Sequence, residues 1–309
     1  MDHKGQTALF NAMKNKYECY HQLLEFGGER LARMPDHNGQ TVLHYICVLF
    51  EFDSLAIPTL IEFGGEKLVF AMDYRGHTAL HDATNSSAKV SQLLDTGGEK
   101  LALMKTRDGF TALHFAFFDE SHETILLLLR FGGEKLVLSR DRGDGTAPHL
   151  CGAMGWLGTH YPHTFHHVLA LGGTRLASIN TPLAGTLLHL VCSEGHGYHL
   201  PNAAVIQKVL EIGGERLLVV CNDRGNTALH NACEFDLERE TELDVKERNY
   251  LLSESIQQLL DVGREGILRI RNHSNLTASD IYAGRVDRSQ EIVDRFMEIG
   301  YEELVLGID

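Results

Sequence analysis

The chain repeats itself, and that self-similarity restricts it to architectures built by stacking one small unit. A first signature, Gly-x-Thr-Ala-Leu-His, stands clearly at Gly39–His44, Gly76–His81, Gly109–His114 and Gly225–His230, and at Gly5–Phe10 with Phe in the last place. Weaker copies are Thr146-Ala147-Pro148-His149, Thr186-Leu187-Leu188-His189 and Thr277-Ala278-Ser279-Asp280. The threonines fall at 7, 41, 78, 111, 146, 186, 227 and 277, so the spacings are 34, 37, 33, 35, 40, 41 and 50. A second signature, Leu-Leu-x-x-Gly-Gly-Glu-Lys/Arg-Leu, follows each first one, as in Leu128–Leu136. Its copies begin at Leu23, Leu60, Leu93, Leu128, Val168, Val209 and Leu259, and a last one at Phe296 keeps a single Gly, Gly300.

One unit can be read physically. Thr111 is a preferred helix N-cap, and Ala112 to Ala116 propagate a short helix behind it. Gly109 suits a turn that needs positive φ. The apolar run from Ile125 to Leu129 is helical in pattern and meets Gly132-Gly133, a favoured helix stop. Lys135 to Leu138 is expected to be a short extended segment leading to the next turn. Such a unit cannot bury its apolar face alone, but stacked units can.

This two-part unit resembles the ankyrin repeat, and the resemblance runs from Asp2 to Asp309 in eight copies. It implies an all-α-dominated repeat solenoid of helix-turn-helix-hairpin units in one curved stack. The expected organisation is a single domain over 1–309, with repeats at about 2–35, 36–72, 73–105, 106–140, 141–180, 181–221, 222–271 and 272–309. By resemblance, His44, His81, His114, His149, His189 and His230 stabilise the turns by hydrogen bonding. The stretch from Gly-Gly to the next Asp, for example Gly64 to Asp73, is longer than the family implies, which predicts longer fingers. Asp144 stands where the turn Gly belongs, between Gly143 and Gly145, so that turn is expected to be rearranged. From Thr to Gly-Gly the fourth repeat has 21 residues, but the fifth, sixth and seventh have 26, 27 and 36. The additions fall between the two helices, where function is often grafted onto a repeat scaffold. The last repeat is polar enough to cap the stack, and the first is a moderate cap.

Charge and composition narrow the partners. The net charge is −14, from 28 Lys+Arg against 42 Asp+Glu, with no Lys/Arg block. Nucleic acid and anionic membranes select for clustered cations and are therefore poor candidates. The six cysteines form no CxxC pair, which fits reduced thiols of an intracellular protein, cytoplasmic or nuclear. There is no secretory h-region at the start, and no apolar run approaches the roughly 20 residues that span a bilayer.

Catalytic signatures are absent: there is no nucleophile elbow, no phosphate-binding Gly-rich loop and no HExxH. The Gly-Gly pairs recur once per unit at helix ends, so they are caps. No enzyme, cofactor or small-molecule substrate is expected. A metal-binding reading rests on two HxxH pairs, His160–His163 with His166 and His167 beside it, and His196–His199. Pro162 and Gly197 there suggest irregular loops, and no Cys or carboxylate completes a set of four. The acidic run 234–247 reads as a solvated segment.

The resemblance implies binding through the finger tips and the exposed side of each first helix, the concave face. The matching positions here are Gln40, Val48, Leu49, Tyr74, Arg75, His77, Arg107, Phe110, Phe118, Asp119, Arg142, Met154, Arg224, Glu234 and Phe235. From these the expected partner-binding set is Tyr74, Arg75, Arg107, Phe110, Phe118, Arg142, Met154, Arg224 and Phe235, because exposed aromatics and Arg in a row are usual interface anchors. The expected function is that of a monomeric scaffold holding a partner protein. The alternative is an ankyrin segment of a larger protein or effector whose activity lies elsewhere.

Overall fold

The computed structural model describes residues 1–15, 19–49, 55–150, 153–182, 184–193, 201–234, 245–285 and 289–306. The chain forms two compact units, Met1–Arg142 and Gly143–Asp309. In the first unit four helix pairs follow one another: α1 (Ala8–Lys14) with α2 (Tyr20–Ala32), α3 (Val42–Val48) with α4 (Ala56–Val69), α5 (Ala79–Asp82) with α6 (Ser87–Ala102), and α7 (Ala112–Phe118) with α8 (His122–Val137). The second unit holds α9 (Ala147–Leu150), α10 (Ala153–His160) and α11 (Pro162–Ala177), then α12 (Leu187–Val191) with α13 (Ala203–Gly213) and a 3-10 turn over Glu215–Val219. It ends with α14 (Ala228–Glu234) and α15 (Val245–Leu268), then α16 (Ala278–Ala283) and α17 (Gln290–Leu306). Among the described residues there is no strand; an isolated bridge joins Thr181 and Gly185.

Each first helix starts on its Thr, and in the second, third, fifth, sixth and seventh repeats the cap is tied to the following repeat. The Thr41 N–H donates to Nδ1 of His44 at 3.1 Å, and the Thr41 hydroxyl lies 2.9 Å from the same nitrogen. A ring nitrogen that accepts an N–H carries no proton, so the proton sits on Nε2. That Nε2–H donates to the His77 carbonyl of the next repeat at 3.1 Å. The same clamp recurs from His81 to Met104, His149 to Ile179, His189 to Asn226 and His230 to Leu276. Burial pulls the imidazole pKa of His81 down to about 4, and it lowers those of His189 and His230 as well. These side chains are neutral struts. In the first repeat Phe10 replaces the His, and the buried Thr7 hydroxyl finds no hydrogen-bond partner.

The Gly-Gly pair divides two tasks between its members. At Gly133 φ is +52°, which breaks the helix axis inside α8. Gly132 has a different reason: a Cβ there would sit 2.5 Å from the Leu136 side chain, which folds back over it. Lys135 to Val137 are therefore helical, not extended, and Leu136 and Val137 are fully buried. The longer Gly-Gly-to-Asp stretch goes into this extra helical turn and does not lengthen the fingers. The Asp144 turn is not rearranged either, because Asp144 itself takes φ +63°, as Asn275 does at +62° in the last repeat. Short polar side chains tolerate that region. The turn that does change is the sixth, where positive φ moves one place to Gly185.

Two of the insertions are helical. The fifth repeat adds α10, and the seventh extends its second helix to the 24 residues of α15. Pro162 does not open a loop; it is the first residue of α11, where its fixed φ and missing N–H suit a helix start. No helix among the described residues is long and apolar enough to cross a membrane.

Candidate interaction face

In the first unit the fingers are stitched tip to tip. The turn of the second repeat is closed by Asp36, whose Oδ1 accepts N–H groups from Asn38 and Gln40 at 2.8 and 3.0 Å. Asp73 does the same for Arg75 and His77, both at 2.8 Å. The residue after each turn opener then donates its N–H to the preceding finger: His37 to Lys4, Tyr74 to Asn38, Arg107 to Arg75 and Arg142 to Asp108, at 2.9–3.0 Å. The fit at these turns is tight. A Cβ on Gly109 would come within 2.9 Å of the Arg142 nitrogen, so only glycine serves there. In the second unit the bond from His273 to Arg224 repeats the pattern at 3.0 Å. Pro182 occupies the donor position of the sixth finger and has no N–H to give.

The stitching sets the expected site residues in order. Tyr74, 62% exposed, and the exposed Arg75, Arg107 and Arg142 lie along the tips of the first unit. Phe110 is half-buried at the base of its finger, and Phe118, 52% exposed, ends α7. The Phe110 ring meets Phe118 edge-on at 6.5 Å and Phe115 at 6.0 Å. Phe115 in turn packs on His77 at 5.3 Å and on His81 at 5.8 Å. Rings and imidazoles of the third and fourth repeats thus form one continuous patch. Arg224 is exposed on a finger of the second unit, and Met154 falls in the added helix α10. The side chain of Met154, and Phe235 altogether, lie outside the described residues.

Sequence reasoning passed over Phe115 and Asp82. Both occupy the position directly after the clamp His, which also holds Tyr45 and Asn231. That position is half-buried in all four, and its change of chemistry from repeat to repeat was the available signal. Nδ1 of His77 lies 3.5 Å from Oδ1 of Asp82, and that carboxylate raises the His77 pKa. Lys89 was also missed. It sits in an apolar stripe, is 1% exposed, and donates from Nζ to the carbonyls of Cys47 (2.9 Å) and Leu49 at the end of α3. Burial lowers its pKa, while the carbonyl end of the helix favours a cation there.

The histidines of the fifth repeat lie at the end of α10 (His160) and in the first turns of α11 (His163, His166, His167). His196 and His199 lie outside the described residues. Among the described residues no group of three or more His, Cys, Asp or Glu is placed to hold a metal ion. The described cysteines are free thiols, and burial raises the pKa values of Cys47, Cys192 and Cys233.

No protein-family model matches the chain, and no curated protein matches it. Among solved structures it is similar to the ankyrin repeat domain of human ASB11, with a TM-score of 0.55 and 19% identity over 83% of this chain and 98% of that one. It is also similar to the ankyrin repeat domain of Bcl-3, described as a unique member of the IkappaB family, with a TM-score of 0.45 and 21% identity over 95% of this chain and 99% of that one. The likeness to ASB11 shows the fold: the units are built as ankyrin repeats are.

Proposed function

We propose that this chain, which has the ankyrin-repeat fold, is a non-catalytic interaction module that holds a partner protein on the finger-and-first-helix face of its first unit. That face corresponds to the concave side of the family. One observation carries the reading. Three phenylalanines of a single repeat, Phe110, Phe115 and Phe118, occupy face positions, and Phe118 is more than half exposed. An aromatic patch rimmed by arginines is the composition of a protein interface centre. Arg224, Met154 and Phe235 extend the proposal to the second unit. A monomer working inside the cell, without cofactor, nucleic acid or membrane, completes it.

The test is affinity capture with mass spectrometry, using the wild-type chain beside Phe118→Ala and Phe110→Ala. Both variants should lose the same partner while their thermal unfolding changes little. A partner retained equally by all three chains would remove this face from consideration. Unfolding of both variants would make the rings core residues.

A further inference from the structure

The third and fourth finger tips carry two arginines, Arg75 and Arg107, against one exposed acid, Asp108. The Arg75 carbonyl accepts the Arg107 N–H at 2.9 Å, so these two arginines are neighbours across adjacent fingers. Both side chains are exposed, and among the described residues neither makes an ion pair. Elsewhere in this chain of net charge −14 some cations do pair with carboxylates: Lys135 with Glu99 at 2.8 Å, Lys208 with Glu211 at 2.8 Å, and Arg295 with Asp261 and Glu298 at 2.9 and 3.0 Å. The acid nearest in sequence to Arg75 is not available. Asp73 is buried, and its Oδ1 is held by two backbone N–H groups of its own turn. Two cations presented on adjacent finger tips favour an anion placed between them.

The pair also has a fixed relation to the aromatic patch. Thr106 N–H donates to the Phe110 carbonyl at 2.8 Å and closes the fourth finger, leaving Arg107 at its tip and Phe110 at its base. One repeat thus presents a cation outward and an aromatic ring inward.

Building on the interaction face proposed above, we propose that Arg75 and Arg107 form a carboxylate clamp for an acidic segment of the partner protein. The same segment lays an aromatic or large aliphatic side chain on Phe110, Phe115 and Phe118. Guanidinium groups suit this task because each offers a planar fork of donors matched to a carboxylate. The clamp confers partner choice, since a segment with Lys or Arg in that place meets two cations.

The probe is a phage-displayed library of short random peptides, selected against the full chain. Enriched peptides should share one or two Asp or Glu at a fixed distance from Trp, Phe or Leu. Measured by fluorescence anisotropy, Arg75→Glu with Arg107→Glu should weaken them roughly tenfold or more, and Phe118→Ala should weaken them as well. Added salt should weaken binding to the wild-type chain much more than to the double variant. Selection against the double variant should turn the preference toward Lys and Arg. Peptides without acidic bias that respond to Phe118→Ala, but not to the arginine pair, would overturn the clamp and leave the interaction face standing. Peptides indifferent to both variants, or no enrichment at all, would overturn both. Equal competition by a random DNA oligonucleotide would show a general polyanion surface and overturn the clamp.

Discussion

The fourth and seventh repeats carry the same scaffold and opposite faces. Both place a Thr-His cap on a first helix of 7 residues and bury the intervening leucine, Leu113 or Leu229. At three matched positions the fourth has Phe110, Phe115 and Phe118, and the seventh has Asn226, Asn231 and Glu234. The aromatic set stacks edge to face and leaves one ring in solvent. The polar set satisfies itself: Asn226 Nδ2 donates to Asn231 Oδ1 at 3.3 Å and to Glu234 Oε2 at 3.1 Å, and Asn226 Oδ1 accepts from Asn272 Nδ2 at 3.0 Å. A surface that completes its own hydrogen bonds has little to offer a partner, whereas an exposed ring gains by being covered. The contrast separates what folds the repeat from what the repeat presents.

The largest effect should be common to both repeats. Leu113→Ala and Leu229→Ala each delete a buried side chain, with relative exposures of 0% and 1%, and each should cost about 2–5 kcal/mol in denaturant unfolding. A small loss in one repeat only would mean that the two scaffolds are not equivalent.

Acid should act on the shared clamps next. The folded-state pKa of His81 is depressed to about 4, from 6.5, and those of His189 and His230 are also lowered. Between those limits the unfolded chain binds protons that the folded chain refuses. Stability is thus complete above about pH 6.5 and falls as pH drops toward 4, by about 3 kcal/mol for His81 alone. His77 works in the opposite direction. Its pKa is raised by Asp82, so its contribution is full below about pH 6.5 and fades as pH rises through the folded value. Thermal unfolding between pH 7 and 5 should show a net loss, made steeper by Asp82→Asn. A flat profile would mean that the clamp histidines are not held neutral.

How far the sequence foretold this contrast depends on the range of the interaction. Thr-x-x-His is a contact within one turn, so its role was legible before any fold was known. The Gly-Gly step was half legible. Its left-handed residue follows from local sterics, but the packing of Leu136 onto Gly132 requires the three-dimensional path, and the helical turn at Lys135–Val137 was therefore expected as extended chain. Phe118 and the finger arginines were expected at the surface because their repeat phase points outward, and they are exposed. Phe115 and Lys89 were not found, because each is apolar or stripe-bound in sequence and reaches its partners in another repeat. Met154 and Phe235 stand as expectations.

A smaller effect should distinguish the polar face. Asn226 is 2% exposed and holds three side-chain partners, so Asn226→Leu should leave buried polar groups unmatched and cost about 1–3 kcal/mol. Phe110→Leu at the matched position keeps an apolar side chain against its neighbours and should cost less. If the two substitutions prove equal in denaturant melts, the amide network contributes nothing beyond volume.

The smallest stability effect, and the most informative one, belongs to Phe118→Ala. The ring is 52% exposed and touches Phe110 edge-on at 6.5 Å, so truncation uncovers little that was dry. Full burial of a Phe side chain is worth about 1.5–3 kcal/mol, and a half-exposed ring contributes about 1 kcal/mol or less. In a bound state the same ring would lose its remaining contact with water and stand beside two more rings of its own repeat. Its truncation should then cost about 2 kcal/mol or more in affinity, well beyond its cost in folding. Glu234→Ala, at the matched position of the seventh repeat, should leave that affinity unchanged, since its carboxylate already accepts from Asn226. Parallel unfolding and binding titrations of the two variants measure the asymmetry directly. Equal losses of affinity would mean that the partner spans both faces, and a loss confined to Glu234→Ala would move the interface to the second unit.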